Sequence, residues 1–375
     1  MQAEGRTEAV TGNRVELQLL TTLKCNLKCS YCSLGVGDVL RSQKHASYSA
    51  AQLEAFVRTH LCGKEVYITF YGGEPALNPK FMLDLIESFP ACRFNMQTNG
   101  TLLDRVPDAV LRRLSNLMIS VDGGERVTDA FRGEGVFRKV LANAGRVRER
   151  TDGTLTARVT WWSADTTFAE LEALTHVFDY VYFQFAQDSA YSGDALERKK
   201  AVLAQLVERF FEGEGLFPIV PLMGTVRNKI APSRINELSA GLTQCRVSSN
   251  LLNVMPDGKI FPCPDMLYMQ DLQQGDVKEN WLRKSPLQPH PAMPCRQCPA
   301  YHFCRGNCMK NLYLAYVKDD SAWRSAVTRP ICDLIRFMGE EVDRRDPHAW
   351  FAKAPLPVRN GILNAEVYEF CEVMP

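Results

Sequence analysis

The segment Cys25-Asn26-Leu27-Lys28-Cys29-Ser30-Tyr31-Cys32 places three cysteines in a C-x3-C-x2-C pattern directly after the apolar run 15–20. Three thiolates on one loop can hold three irons of a cubane [4Fe–4S] cluster, which leaves the fourth iron without a protein ligand. An open metal position is where a substrate or cosubstrate binds directly. The alternative is three reduced core cysteines, which the polar and charged composition of this loop disfavours.

Length and composition set the broad class of the protein. A chain of 375 residues suits one large domain and a smaller one. Its apolar content of 46% and charged content of 23% are ordinary, and its net charge of +1 argues against nucleic acid or an anionic membrane as the main partner. Neither a signal-peptide pattern nor a bilayer-spanning apolar run is present. We therefore expect a cytoplasmic protein.

Thirteen cysteines would indicate disulfides in a secreted protein and metal ligands in a reducing compartment. Their clustering favours metal ligands, because three lie within 25–32 and seven more lie between Cys245 and Cys332. Cys62, Cys92 and Cys371 stand alone and are expected to be structural.

Apolar strands alternate with helices as far as residue 185, which favours right-handed βαβ units and an α/β fold. Strands are predicted at Val15–Thr21, Val66–Tyr71, Arg93–Thr98, Leu117–Val121, Thr156–Trp162 and Tyr180–Phe185. Helices are predicted near Ser49–Leu61, with Ser49 as the N-cap, and near Pro79–Ser88, Phe137–Arg150, Phe168–Phe178 and Asp194–Gly213. Residues 1–14 are expected to be loosely held, Ile219–Pro232 to be irregular, and the proline-punctuated end from Asp346 to wrap the surface.

Polar residues follow the second, third and fourth predicted strands. Gly72-Gly73-Glu74-Pro75 combines glycines that allow close backbone approach with a carboxylate that can accept from an ammonium group. Thr98-Asn99-Gly100 and Ser120–Gly123 occupy the corresponding places after the next two strands. Sheets of this class place ligand contacts at the carboxyl ends of their strands, although ordinary turn chemistry explains each motif singly.

These motifs together resemble the signature of the radical S-adenosylmethionine (radical SAM) superfamily, with Tyr31 before the third cysteine and G-G-E-P about forty residues later. The resemblance implies a partial (β/α)6 barrel in which Cys25, Cys29 and Cys32 are the catalytic cluster ligands. In this family S-adenosylmethionine (AdoMet) chelates the open iron, and one electron cleaves it to methionine and a 5′-deoxyadenosyl radical. The protein positions and shields this chemistry.

The resemblance also assigns contacts to AdoMet. Glu74 would meet the amino group, and Arg132 would either meet the carboxylate or face solvent. Thr128 stands where a histidine is common in the family. The full set of implied AdoMet contacts is Tyr31, Gly72, Gly73, Glu74, Thr98, Asn99, Ser120, Asp122 and Arg132.

Seven further cysteines resemble the SPASM extension of radical SAM enzymes, which carries auxiliary [4Fe–4S] clusters. The pattern is Cys245, Gly258-x4-Cys263, Cys295-x2-Cys298-x5-Cys304-x3-Cys308 and Cys332. A zinc ribbon is the alternative, but it does not explain seven thiols or the G-x4-C element. Pro256-Asp257-Gly258 predicts a tight turn in a hairpin before Cys263.

The resemblance divides these cysteines between two clusters, for three [4Fe–4S] clusters in all. One cluster would take Cys295, Cys298, Cys304 and Cys332, and the other would take Cys245, Cys263 and Cys308. Relatives carry another cysteine just before the position of Cys245, and residues 230–244 contain none here. The near cluster would then have an open iron for a substrate thiolate or amide, or one filled by a serine such as Ser239 or by water.

Asp265 is a candidate base. In sulfatase-maturing relatives an aspartate directly follows the cysteine that matches Cys263, whereas Pro264 intervenes here. A carboxylate near a cluster can take up a proton during an oxidation. The expected domains are an N-terminal extension (1–14), the barrel (15–235), the SPASM domain (236–345) and a C-terminal tail (346–375).

SPASM enzymes mostly modify peptides, so the resemblance implies oxidative modification, such as crosslinking, of a ribosomally made precursor peptide. A flavodoxin or ferredoxin would donate the electron. About fourteen residues precede the first strand, so a separate leader-recognition protein or the open barrel face is expected to bind the leader. The alternatives are an anaerobic sulfatase-maturing enzyme, an enzyme of small-molecule or cofactor biosynthesis, and a non-catalytic iron–sulfur carrier.

Overall fold

The computed structural model describes residues 9–32, 45–187, 191–232, 245–247, 249–267, 269–306 and 308–370. Within these ranges ten strands form one sheet, in the order β10-β9-β8-β7-β1-β2-β3-β4-β5-β6. The strands are β1 Arg14–Thr22, β2 Glu65–Gly72, β3 Arg93–Thr98, β4 Leu114–Ser120, β5 Thr154–Trp161, β6 Tyr180–Phe185, β7 Leu251–Val254, β8 Lys259–Phe261, β9 Gly275–Asp276 and β10 Trp281–Leu282.

Strands β1 to β6 are mutually parallel, and helices connect them, which confirms the predicted α/β class. The helices of this part are α1 Ala50–His60, α2 Pro79–Ser88, α3 Asp108–Leu111, α4 Glu125–Arg132, α5 Val136–Arg148, α6 Phe168–Leu174 and α7 Gly193–Glu212. Ser49 caps α1 as predicted, because its side chain and that of Gln52 each accept from the other's backbone N–H.

The two faces of β1 show how the sheet divides the interior. Val15, Leu17 and Leu19 are fully buried in the main apolar core. The alternate residues Glu16 and Gln18 are also buried, and Gln18 lines an internal cavity. A strand in a parallel sheet is covered on both faces. On this second face Glu16 and Gln18 are polar, and Gln18 contributes to the cavity wall.

The second cysteine-rich part, which runs from Cys245 to Cys332, continues the same sheet. Strand β7 pairs in parallel with β1, from Glu16 opposite Leu251 to Leu19 opposite Val254. Strands β7 and β8 form the predicted hairpin, in which the Met255 N–H donates to the Lys259 carbonyl at 2.8 Å. The domain boundary expected near residue 235 lies outside the described residues.

The expectation that Ile219–Pro232 is irregular is wrong, because Val220–Ile230 is a helix, α8. Every residue from Val220 to Lys229 is buried. A helix enclosed on all sides lacks the one-sided apolar stripe that identifies surface helices. Pro221 lies in the first turn, where a missing N–H costs no helical hydrogen bond.

The expectation that the chain end wraps the surface is also wrong. Its prolines mark helix starts, and Val358, Ile362 and Val367 are buried in the main core. The helices after α8 are α9 Tyr301–Cys304, α10 Met309–Leu312, α11 Ser321–Trp323, α12 Arg329–Arg344, α13 Pro347–Lys353, α14 Leu356–Asn364 and α15 Val367–Phe370.

Among the described residues, every helix is too short or too polar to cross a bilayer.

A buried ion pair fixes the second cysteine-rich part against β1. Arg246 Nη2 donates to Glu16 Oε2 at 2.7 Å, and their side chains are only 5% and 2% exposed. The Thr69 hydroxyl donates to the other Glu16 oxygen at 2.7 Å. Because Arg246 directly follows Cys245, this pair fixes where that cysteine enters the fold.

Replacing Arg246 by Met should lower the free energy of unfolding by about 3–5 kcal/mol, because it leaves the Glu16 carboxylate buried without its cation. Arg93→Met is the matched control, since the Arg93–Glu366 pair is about half exposed and should cost less than about 1 kcal/mol. Urea denaturation of the anaerobically purified proteins measures both. Equal losses would contradict a structural role for the buried pair.

Candidate active site

A cavity of 200 Å³ lies at the carboxyl ends of the parallel strands, and we call it the edge cavity. It gathers ten of the predicted site residues: Cys25, Cys29, Tyr31, Cys32, Gly72, Gly73, Thr98, Asn99, Ser120 and Arg132. The structure thus places residues from the cysteine loop and from the ends of β2, β3 and β4 around one space. Asp265, from the second cysteine-rich part, lines the same cavity.

Backbone hydrogen bonds join the cysteine loop to the end of β2. The Gly73 N–H donates to the Thr22 carbonyl and the Glu74 N–H to the Lys24 carbonyl, both at 2.8 Å. A Cβ atom at position 73 would collide with the Lys24 carbonyl oxygen. Glycine is therefore required here for close approach of the two segments, and both glycine backbones line the cavity.

Glu74 was predicted to meet the AdoMet amino group, and the structure buries its carboxylate behind the cavity wall. Its carboxylate is fully buried and accepts from the Thr98 hydroxyl at 2.7 Å, the Asn99 N–H at 2.8 Å and the Ala76 N–H at 3.0 Å. Burial raises the pKa of Glu74, and these three donors oppose that rise. The carboxylate stabilises the turns behind the cavity and does not line the cavity itself.

Asn99 connects the end of β3 to the first cysteine. Its amide nitrogen donates to Cys25 Sγ at 3.6 Å and to Asn26 Oδ1 at 2.9 Å. The Asn26 amide in turn donates to the Thr101 hydroxyl at 2.8 Å. The Cys25 side of the loop is therefore held by side chains from the strand ends.

Asp122 joins three segments beneath the cavity. Its carboxylate accepts from the Tyr31 hydroxyl at 2.5 Å, from Arg132 Nε and Nη2 at 2.8 and 2.9 Å, and from the Thr160 N–H at 3.1 Å. Asp122 is fully buried and is not among the residues that line the cavity, so its contact with AdoMet stays a prediction. The Thr128 hydroxyl accepts from the Asp122 N–H at 3.1 Å.

Arg132 neither faces solvent nor has an unpaired guanidinium. Its side chain is 7% exposed and forms a two-bond ion pair with Asp122 while lining the cavity. Burial by itself lowers the pKa of Arg132, but the Asp122 carboxylate outweighs it and the net pKa is raised. The arginine therefore stays charged and fixes Asp122.

Several cavity residues were missed from the sequence. Arg158, Thr160 and Trp162 occupy alternate positions along and just beyond β5, so they share the inward face. Polar residues at every second position of an otherwise apolar strand were the available signal. The remaining unpredicted members of the wall are Tyr71, Gln97, Gln184, Phe185, Ala186 and Gln187.

The two adjacent tryptophans, Trp161 and Trp162, have different roles. Trp161 is fully buried against Phe183, with ring centroids 5.1 Å apart. Trp162 stacks on Tyr31 at 5.6 Å and 19° and forms part of the cavity wall. Only Trp161 is core packing.

Cys29 is affected by the other two cysteines of the first loop. Burial raises the pKa of Cys29 to about 11, Arg132 opposes the rise, and the neighbouring Cys32 and Cys25 add to it. Thiols held this closely favour the neutral form until cationic irons compensate their charge. This donor set fits an iron–sulfur cluster.

Some of the later cysteines lie close enough to affect one another electrostatically, and their division between two clusters stays a prediction. Burial raises the pKa of Cys308 to about 12, with Cys245 the next cause and Asp265 a further neighbour. Burial likewise raises the pKa of Cys295 to about 12, and its neighbours are Cys332 and Cys298. Cys304 has three cysteine neighbours, Cys332, Cys295 and Cys298.

Cys263 lies in the same buried apolar cluster as Cys245. The suggested ligand Ser239 and the lone Cys371 lie outside the described residues. Cys62 is exposed, so core packing does not explain it. In the part of the chain that the structure describes, no three His, Cys, Asp or Glu side chains converge on one single-ion site.

Lys199 holds the end of β5 from behind. Its ammonium group donates to the carbonyls of Trp161, Trp162 and Ser163 at 3.1, 3.2 and 2.9 Å and lies 5.0 Å from the centre of the Trp161 ring. Burial, with a smaller effect from Arg198, lowers the pKa of Lys199 to about 7. Lys199 therefore positions the backbone from which Trp162 reaches the cavity.

Stability should depend on pH through Lys199. An unfolded lysine keeps its usual pKa of 10.5, so the unfolded chain holds this proton more tightly than the folded chain. The Lys199 contribution is fully present above pH 10.5 and is lost as the pH falls through about 7. Lys199→Met should remove this pH dependence in urea denaturation at pH 9 and pH 6. Lys200→Met, at a neighbouring lysine that pairs with Glu197, should keep the pH dependence of the wild type. If the free energy of unfolding changes equally between pH 9 and pH 6 in all three proteins, the assignment to Lys199 is contradicted.

Comparison with known proteins agrees with this geometry. Residues 19–159 match the family model described as the Radical SAM superfamily. No curated protein matches the sequence. The fold is similar to that of a histidine-tagged form of "anSMEcpe with bound AdoMet", at 19% identity and a TM-score of 0.70, covering 93% of this chain and 98% of that one.

Two solved structures with a similar fold contain a peptide. "Native anSMEcpe with bound AdoMet and Cp18Cys peptide" is 20% identical, with a TM-score of 0.64, and the match covers 89% of this chain and 99% of that one. "Streptococcus suis SuiB bound to precursor peptide SuiA" is 15% identical, with a TM-score of 0.57, covering 81% and 74%. Identities this low establish the shared fold alone.

Proposed function

This protein is a radical SAM enzyme, with its radical SAM domain at residues 19–159, and we propose that it oxidatively modifies a ribosomally made precursor peptide. The observation that carries the proposal is the placement of Asp265. This residue brings the second cysteine-rich part to the wall of the cavity that holds the first cysteine loop. A substrate bound there would lie beside both.

The chain's own residues divide the work. Cys25, Cys29 and Cys32 would hold a [4Fe–4S] cluster, which when bound supplies the electron for AdoMet cleavage. The Asn99 amide donates to the Cys25 sulfur, and hydrogen bonds of this kind tune cluster potentials. The backbones of Gly72 and Gly73 line the cavity in which AdoMet would bind, and the stacked rings of Tyr31 and Trp162 form part of its wall.

The net reaction removes two hydrogens from the peptide, one as an atom and one as a proton plus an electron. AdoMet bound in the edge cavity would supply the adenosyl radical that accepts the hydrogen atom, which would give 5′-deoxyadenosine. Asp265 would accept the proton, since it lines the cavity and lies near Cys308. Cys308 is a proposed ligand of the near auxiliary cluster, which would accept the electron. Cys245, Cys263 and Cys308 would hold the near auxiliary cluster, and Cys295, Cys298, Cys304 and Cys332 the distant one.

We assign the barrel to residues 15–235 and the SPASM domain to residues 236–345. A flavodoxin or ferredoxin would supply electrons, and leader recognition would fall to a separate protein or to the open face of the barrel. Solved proteins of this fold that hold peptides make a peptide substrate the favoured class.

Formylglycine formation in a sulfatase is the second candidate. The inserted Pro264 argued against it, because it displaces Asp265 from the position after Cys263. Asp265 nevertheless reaches the edge cavity, where such a base is required. The missing cysteine before Cys245 remains the point against this candidate.

Iron analysis tests the number of clusters. After anaerobic reconstitution the wild type should hold about twelve irons per chain, and a variant with Cys25, Cys29 and Cys32 changed to Ala about eight. AdoMet should perturb the EPR spectrum of the wild type only, and the reduced wild type alone should release 5′-deoxyadenosine. Four irons or fewer, or zinc in their place, would refute the auxiliary-cluster assignment and the oxidative reaction with it.

A cysteine-containing peptide with a sulfatase active-site sequence separates the two candidate substrates. We expect mass spectrometry to recover it unmodified after incubation with reduced enzyme and AdoMet. Formylglycine in the product, abolished by Asp265→Asn, would favour the second candidate over peptide crosslinking. Known sulfatase-maturing enzyme serves as the positive control for the peptide and the assay.

A further inference from the structure

Asn311 lies between a predicted cluster ligand and the edge cavity. It is wholly buried in α10, the short helix that follows Cys308. Its backbone N–H donates to the Cys308 sulfur, and its side-chain nitrogen donates to Gln187 Oε1. Gln187 lines the edge cavity. One residue thus contacts the thiol through its backbone and the cavity wall through its side chain.

Hydrogen-bond chemistry fixes the orientation of both amides. The Trp323 indole nitrogen, which can only donate, lies 3.1 Å from Asn311 Oδ1. Asn311 must therefore turn its oxygen to Trp323 and its NH₂ group to Gln187. Gln187 then accepts with its oxygen, and its own nitrogen donates to the Phe185 carbonyl at 3.0 Å.

This arrangement leaves one N–H of Gln187 without a partner among the described residues. Because Gln187 belongs to the cavity wall, a ligand acceptor atom in the cavity can pair with that N–H. The Thr328 hydroxyl donates to the Asn311 backbone carbonyl at 3.3 Å, so the Asn311 side chain and backbone are each held by a separate partner. Hydrogen bonds to cluster sulfurs set reduction potentials, so a shift of Asn311 transmitted from Gln187 would change the potential of a cluster held by Cys308.

We propose that Gln187 and Asn311 couple occupation of the edge cavity to the reduction potential of the cluster held by Cys245, Cys263 and Cys308. Gln187 contacts the bound cosubstrate, and Asn311 and Trp323 are positioning residues. The proposal rests on the function proposed above, because it requires that auxiliary cluster. Coupling between two binding or redox equilibria is reciprocal, so the state of the cluster also changes the affinity of the cavity.

The experiment uses reconstituted holoenzyme and S-adenosylhomocysteine, which lacks the sulfonium and is not cleaved. EPR-monitored redox titration with and without this probe measures the auxiliary clusters in wild type, Gln187→Ala, Asn311→Ala and Trp323→Phe. Asn116→Ala is the matched control, since Asn116 is fully buried and donates its amide to Thr156 within the sheet, away from Gln187 and Asn311 in sequence. Trp323→Phe keeps an aromatic side chain and removes the five-membered ring that carries the indole donor.

The probe should change the ratio of reduced to oxidised cluster at fixed potential by about fivefold in wild type and in Asn116→Ala. Gln187→Ala and Asn311→Ala should abolish the change, and Trp323→Phe should reduce it. No change in wild type, or a full change in Trp323→Phe and Asn311→Ala, would overturn the coupling while leaving the proposed function intact. Loss of the auxiliary clusters from wild type, seen as four irons or fewer, would refute both.

Discussion

The carboxylate of Asp122 is the interaction on which the geometry of the edge cavity depends. It accepts hydrogen bonds from the cysteine loop through Tyr31, from helix α4 through Arg132 and from the end of β5 through Thr160. Full burial makes each of these bonds costly to break, because an unpaired charge would remain in the interior. The residue therefore acts behind the cavity wall, where it fixes three segments that line it.

A second buried carboxylate has the same effect on strand β1. Glu16 on β1 binds Arg246, the residue after Cys245, and strand β7 then pairs in parallel with β1. The cysteine-rich part is thus an extension of the central sheet. This continuity explains how Asp265 and the first cysteine loop come to share one cavity although 233 residues of sequence separate Asp265 from Cys32.

Local patterns predicted most of the strands and helices. The limits of α2, β3 and β6 agree with the predictions, because clear apolar runs end at polar or proline-containing turns. Helix α8 was missed because it is buried on every side. The C-terminal helices were missed because proline is common both in loops and in the first turn of a helix. Glu74, Asp122 and Arg132 were placed in the right region, but their charged groups bind one another or the backbone.

The sequence by itself determined the superfamily chemistry, because cysteine spacing is a local property and cluster ligands must be close on the chain or recur in a recognisable pattern. It also determined which strand ends would meet, since parallel strands bring their carboxyl ends to one edge. Only the tertiary structure decided which polar groups face the cavity. Whether a carboxylate points into the cavity or into the protein depends on donors from distant segments, and the Gln187–Asn311–Trp323 chain joins residues as far as 136 positions apart. No local pattern records such partners, because the hydrogen bonds form only after the sheet and its extension have assembled.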